Sequence, residues 1–156
     1  MQIDSRDILN LNHSLAWAIS FAAEVHYDQV DKGGQPYILH PIRVMMAVET
    51  IEEKIVAILH DVVEDGMVSK SILVEYAGVV IARAVMALSR KDGESYREFI
   101  LRVKQNNLAR QVKIADLKDN MDRSRIPNPT AEDERRWKKY EKALAELSNK
   151  GTTVVN

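Results

Sequence analysis

The stretch "IEEKIVAILHDVVEDG", residues 51–66, decides how this chain is read. Thr50 followed by Glu53 makes a capping box that opens a helix, and Gly66 is the residue that stops it. An apolar approach then leads into His60, Asp61, Glu64 and Asp65, four ionisable side chains inside two turns. Buried charge is expensive unless it is paired or binds a metal. The segment is therefore either a solvated helix end or the floor of a cation site.

Helical periodicity continues on both sides. Residues 9–29 place Leu11, Leu15, Ala18, Ala22 and Val25 on one stripe, the spacing of a single helix face. "VDKGGQPY" breaks that helix with two glycines and a proline and predicts a loop over 30–36. A second helix is expected to start near Pro41, because proline suits the first helical turn. Ser69 can cap "KSILVEYAG", three amphipathic stretches follow, and Thr130 opens a final charged helix after the turn "IPNPT". No strand pair, internal repeat, low-complexity tract or interior linker is visible. The expectation is an all-α helical bundle over residues 1–150, one domain, with a flexible tail at 151–156.

Composition narrows the function. A length of 156 residues suits one domain with a real core. A formal net charge of −1 gives no basic excess for nucleic acid, so no nucleic-acid partner is expected. The absence of cysteine removes disulfides, thiolate catalysis and cysteine-rich zinc sites, so any metal must be held by histidine and carboxylate. The charged N-terminus "MQIDSRDILN" does not read as a signal peptide, and no window approaches the roughly 18 apolar residues of a membrane span. A cytoplasmic protein with no membrane partner is the expectation.

His60 and Asp61 suit a divalent ion but are too few to hold one. His40 stands in "PYILHPI", before a proline that fixes the backbone, and can project into a cleft. Asp116 follows an apolar triplet in "VKIADLKDNMD", at the edge of a core. Together His40, His60, Asp61 and Asp116 make a set that holds one metal and leaves positions open for water and a phosphate oxygen. His26 reads as a structural hydrogen-bonding histidine, and Trp17 and Trp137 as packing residues.

Each motif alone is common, but their order is not. The run "HYDQVDKGGQPYILHPIRV…AILHDVVEDG…VKIADLKDNMD" resembles the HD-domain phosphohydrolases. Within them it is most similar to the hydrolase domain of the Rel/Spo homologue family, which removes the 3′-pyrophosphate from the alarmone (p)ppGpp. The resemblance spans residues 12 to about 125. It implies that His40, His60, Asp61 and Asp116 bind a metal, manganese first among the first-row transition ions. It implies that Glu64 and Asp65 activate the attacking water, and that Lys32, Tyr37, Lys113 and Asn120 contact or frame a phosphorylated nucleotide. Alternatives are hydrolysis of another phosphorylated small molecule, such as a nucleoside monophosphate, or nucleotide binding without turnover. The chain also departs from the family. Asp31 and Leu117 stand where arginine is usual, Asp119 where histidine is usual, and Gly66 where threonine is common. Asp31 is expected to repel polyphosphate or to consume the charge of Lys32.

Overall fold

The computed structural model describes residues 5–64 and 68–149. Eight α-helices make up these residues: α1 (Ser5–Val25), α2 (Leu39–Met46), α3 (Ile51–Leu59), α4 (Lys70–Ala77), α5 (Val79–Leu88), α6 (Tyr96–Lys104), α7 (Asn107–Asn120) and α8 (Ala131–Ser148). A single 3₁₀ turn, Arg123–Arg125, joins α7 to the segment before α8. Among the described residues the extended pairing is one isolated bridge, between Val30 and Pro36. The all-α expectation holds. The expected tail at 151–156 lies outside the described residues.

Helix α3 is the centre of the bundle. Ile55, Val56, Ala57, Ile58 and Leu59 are all fully buried, five residues in succession. A helix apolar all round must be covered on every side, and α3 packs against α1, α2, α5 and α7. Leu73, Val85, Val103, Val112 and Leu147 extend the same core through the outer helices. Local capping agrees with this plan. Thr50 and Glu53 form the reciprocal capping box expected of them, Ser69 caps α4, and Thr130 with Asp133 forms the box that opens α8.

Helix boundaries lie close to expectation at α2 and differ from it at α1 and α3. Helix α1 ends at Val25 rather than near 29, because the chain turns to bring Val30 against Pro36. Helix α2 begins two residues before Pro41, which still lies in the first turn where its missing N–H costs nothing. Helix α3 does not continue to Asp65. It ends at Leu59, with His60 as its cap. The backbone bonds His60 N to Ala57 O and Val62 N to Leu59 O tighten the chain into i→i−3 turns there. The cause is in the side chain: His60 Nδ1 lies 2.6 Å from the Ala57 carbonyl, the group that a continued helix would offer to the N–H of residue 61.

Candidate metal centre

The end of α3 at His60 removes an obstacle. Adjacent residues on a helix point about 100° apart, so His60 and Asp61 would converge poorly if the helix continued. In the turn they face one point. His60 Nε2 is 3.0 Å from Asp61 Oδ2, and α2 brings His40 Nε2 to 3.3 Å from His60 Nε2. From α7, Asp116 Oδ1 stands 3.2 Å from His40 Nε2 and 3.6 Å from His60 Nε2. Asp61 Oδ2 lies 3.7 Å from His40 Nε2. His40, His60 and Asp116 thus gather with their ligand atoms within 4.8 Å of one another, and Asp61 approaches the two imidazoles.

The separations among His40, His60 and Asp116, and of Asp61 from the two imidazoles, fit a transition-metal ion. Donors about 2.1 Å from an ion stand about 3.0 Å apart at right angles and about 3.4 Å apart at the tetrahedral angle. The donor chemistry fits as well. His60 Nδ1 gives its proton to Ala57 O, and His40 Nδ1 lies 2.7 Å from Asp119 Oδ2, so both Nε2 atoms are left to donate lone pairs inward. Among the described residues His40, His60 and Asp116 are buried together as a group of this kind. Nitrogen and carboxylate oxygen, without sulfur, suit Mn, Fe, Co, Ni or Zn.

The electrostatics point the same way. Burial lowers the proton affinity of His40 and His60, but the carboxylates outweigh it: Asp116 and Asp119 raise His40, and Asp61 with Asp116 raises His60 well above the ordinary value. Burial pushes the Asp61 carboxyl up, yet His60 draws it down to about 2. Asp116 is held well below the carboxylate range against its own burial by Lys113 and the two imidazoles. A pocket that pulls this strongly on protons pulls on a divalent cation for the same reason.

The remaining candidates sort into two groups. Lys113 Nζ donates to Asp116 Oδ2 at 2.7 Å and Asn120 Nδ2 to Asp116 Oδ1 at 2.6 Å, so both are committed to the carboxylate beside the centre. The Tyr37 hydroxyl donates to Asp61 Oδ2 at 2.5 Å. Tyr37 then opens onto two cavities. One, of about 390 Å³, is lined by Gln29, Val30, Tyr37, Asp61 and Glu64. Partial desolvation and the neighbouring Asp61 charge raise the Glu64 carboxyl above its ordinary value. Asp65, named with Glu64 from the sequence, lies outside the described residues, as does Gly66. The second cavity, of about 280 Å³, runs from Lys32 and Tyr37 to Asn120, Arg125, Arg136 and Tyr140.

Asp31 corrects an expectation. It does not pair with Lys32. Its Oδ1 accepts the backbone N–H groups of Gly33 at 2.8 Å and Gln35 at 2.9 Å, and its Oδ2 lies 3.7 Å from Arg125 Nη1. A short carboxylate that ties its own turn is doing what Asp does best in a loop. Gly33 completes that turn, since a Cβ there would come within 3.0 Å of the Arg125 carbonyl. Lys32 instead reaches Asp133 at 3.4 Å and remains 56% exposed. Leu117 is buried in the core and does not face the cavity. His26 is buried, with Nδ1 2.9 Å from Gln29 Oε1, as a structural histidine should be. The sequence reading missed Arg43, Arg125, Arg136 and Tyr140. A signal was available for Arg43, which follows His40 by three positions and so shares its helix face.

Comparison with known proteins finds distant relatives of this chain. The guanosine-3′,5′-bis(diphosphate) 3′-pyrophosphohydrolase of Aquifex aeolicus is 30% identical over 116 residues, 67% of this chain and 17% of that protein. The Vibrio cholerae protein of the same name is 30% identical over 118 residues, 64% of this chain and 16% of that protein. This chain is a distant homologue of the Rel/Spo proteins. The bifunctional (p)ppGpp synthase/hydrolase SpoT of Escherichia coli is 28% identical over 122 residues, 69% of this chain and 17% of its own length. The chain thus spans about one sixth of the curated relatives it matches. No protein-family model matches it. A solved structure described as a metazoan orthologue of SpoT that hydrolyzes ppGpp and plays a role in starvation responses superposes with a TM-score of 0.71 at 20% identity. The match covers 98% of this chain and 90% of that one, and it identifies the fold as the HD-domain bundle.

Proposed function

We propose that this chain is a metal-dependent phosphohydrolase that releases pyrophosphate from the 3′ position of guanosine 3′,5′-bis(diphosphate). The observation that carries the reading is the buried cluster of His40 Nε2, His60 Nε2 and Asp116 Oδ1, with Asp61 Oδ2 against both imidazoles and both Nδ1 atoms already committed elsewhere. The names of the relatives support the substrate.

These four side chains would hold a divalent ion, with manganese the first candidate. Bound there, the ion supplies a Lewis acid for a phosphate oxygen and a water of lowered pKa. The chain's own residues do the rest. Glu64, on the rim beside Asp61, accepts the proton of the attacking water, and its raised carboxyl brings it closer to working pH. Asp65 shares that task in this reading. Lys113, held against Asp116, keeps positive charge next to the reacting phosphate. Lys32, Tyr37 and Asn120 frame the nucleotide along the second cavity, where Arg125 and Arg136 add charge to receive the other diphosphate. Water is consumed as the bond between the 3′ oxygen and phosphorus breaks, and the 3′ hydroxyl takes up a proton. Asp133 and Asp119 share the charge of these cations, so binding is expected to be weaker than in a pocket with free arginines.

The test is product analysis. Purified chain is incubated with guanosine 3′,5′-bis(diphosphate), a nucleoside triphosphate and a nucleoside monophosphate, with manganese and with chelator. Pyrophosphate release from the first alone, and only with metal, is the expected result. Release of orthophosphate from the monophosphate alone would replace this substrate with the smaller one.

A further inference from the structure

The two histidines of the centre are backed differently. His60 Nδ1 turns to a backbone carbonyl, whereas His40 Nδ1 faces the carboxylate of Asp119 at 2.7 Å. That carboxylate is itself fixed from two sides. Arg43 grips it with Nε on Oδ1 at 2.7 Å and Nη2 on Oδ2 at 3.1 Å, and Arg125 Nη2 reaches Oδ2 at 3.0 Å. Arg125 also donates to the Asp119 backbone carbonyl. Helix periodicity builds this arrangement. Asp116 and Asp119 are three apart on α7, and His40 and Arg43 three apart on α2, so two neighbouring faces interlock. The His40 ring is bracketed, with Asp116 on its Nε2 edge and Asp119 on its Nδ1 edge.

We propose that Asp119 is the positioning residue of the metal centre: it holds His40 in the tautomer that leaves Nε2 free, and it strengthens that nitrogen as a donor. The inference rests on the metal-binding reading above. A hydrogen-bonded carboxylate behind an imidazole sets both its orientation and its basicity, and losing such a partner costs about 10–100-fold in metal affinity. The two arginines keep the carboxylate aimed without standing between it and the ring. The other possible duty of Asp119 is purely architectural, as an anchor for Arg43 and Arg125.

The experiment separates the two duties. Chain stripped with chelator is titrated with Mn²⁺ against a competing fluorescent chelator, well below the melting temperature, for the wild type, Asp119→Asn and Asp119→Ala. Thermal melts are recorded in chelator alone. Asparagine can still accept the Nδ1 proton but brings no charge, so its Mn²⁺ affinity should fall about 10-fold, and that of alanine toward 100-fold. An unchanged Mn²⁺ affinity in variants that merely melt earlier would overturn the proposal, since an anchor acts on folding and not on the ion. Asparagine no better than alanine would overturn it too. If the alanine variant does not fold, asparagine decides alone, by a loss or by none. A wild type that takes up no Mn²⁺ would fail differently: it would remove the metal centre itself and this role with it.

Discussion

Lys113→Met is the most discriminating perturbation outside the four donors. Lys113 Nζ sits 2.7 Å from Asp116 Oδ2, with 16% of the lysine side chain and 4% of the aspartate side chain exposed. Asp116 drives the lysine pKa upward against strong burial. Removing one partner of a buried pair costs about 3–5 kcal/mol, because the other charge is left uncompensated. Asp116 keeps the Asn120 bond at 2.6 Å and both imidazoles, which argues for the lower end, about 3 kcal/mol. For a domain of this size each kcal/mol moves Tm by about 2–4 °C, so the loss in chelator should be about 6–12 °C. A bound divalent ion replaces the lost positive charge, so with saturating manganese the loss should shrink. Manganese affinity should rise, because the centre has lost a repelling cation. The assay is a pair of thermal melts, in chelator and in manganese, with a competition titration. Equal losses in both conditions, or weaker manganese binding, would refute the electrostatic reasoning.

Other outcomes follow from the same contacts. Glu64→Gln keeps the side-chain shape but cannot accept a proton, so kcat should fall about 10²–10⁴-fold while metal content stays unchanged; an unaltered kcat would return Glu64 to the solvated surface. Asp31→Arg should lower kcat/KM, because it removes the acceptor for the Gly33 and Gln35 N–H groups and sets two arginines side by side; a rise would show that the turn tolerates the loss. Glu94 is held at about 2 by its hydrogen bonds to Arg102. Its folded pKa lies below the ordinary 4.5, so its contribution is present above that value and is lost as pH falls from about 4.5 toward 2. Glu94→Gln should flatten that part of the stability profile, as read from denaturant melts across this range.

The legible parts of this protein were those written in local pattern. Capping at Thr50, Ser69 and Thr130 depends on residues three apart, so it could be read directly. The gathering of His40, His60 and Asp116, with Asp61 against the imidazoles, was anticipated by residue chemistry and motif order. What escaped was set by tertiary contacts. The end of α3 at Leu59 depends on the His60 ring finding the Ala57 carbonyl, a competition that periodicity does not encode. Asp31 looked like a repelling charge because its neighbour in sequence is Lys32. In space its neighbours are two amides and Arg125, from a turn nearly a hundred residues later. Asp119 looked like a lost histidine until α2 and α7 were packed together.

The most direct test of the account is anomalous scattering from crystals grown with manganese and measured at its absorption edge. The account predicts one strong peak within bonding reach of His40 Nε2, His60 Nε2, Asp61 and Asp116, and its disappearance in Asp61→Ala. Full manganese loading with no peak among these four side chains, or a peak undiminished in Asp61→Ala, would contradict it.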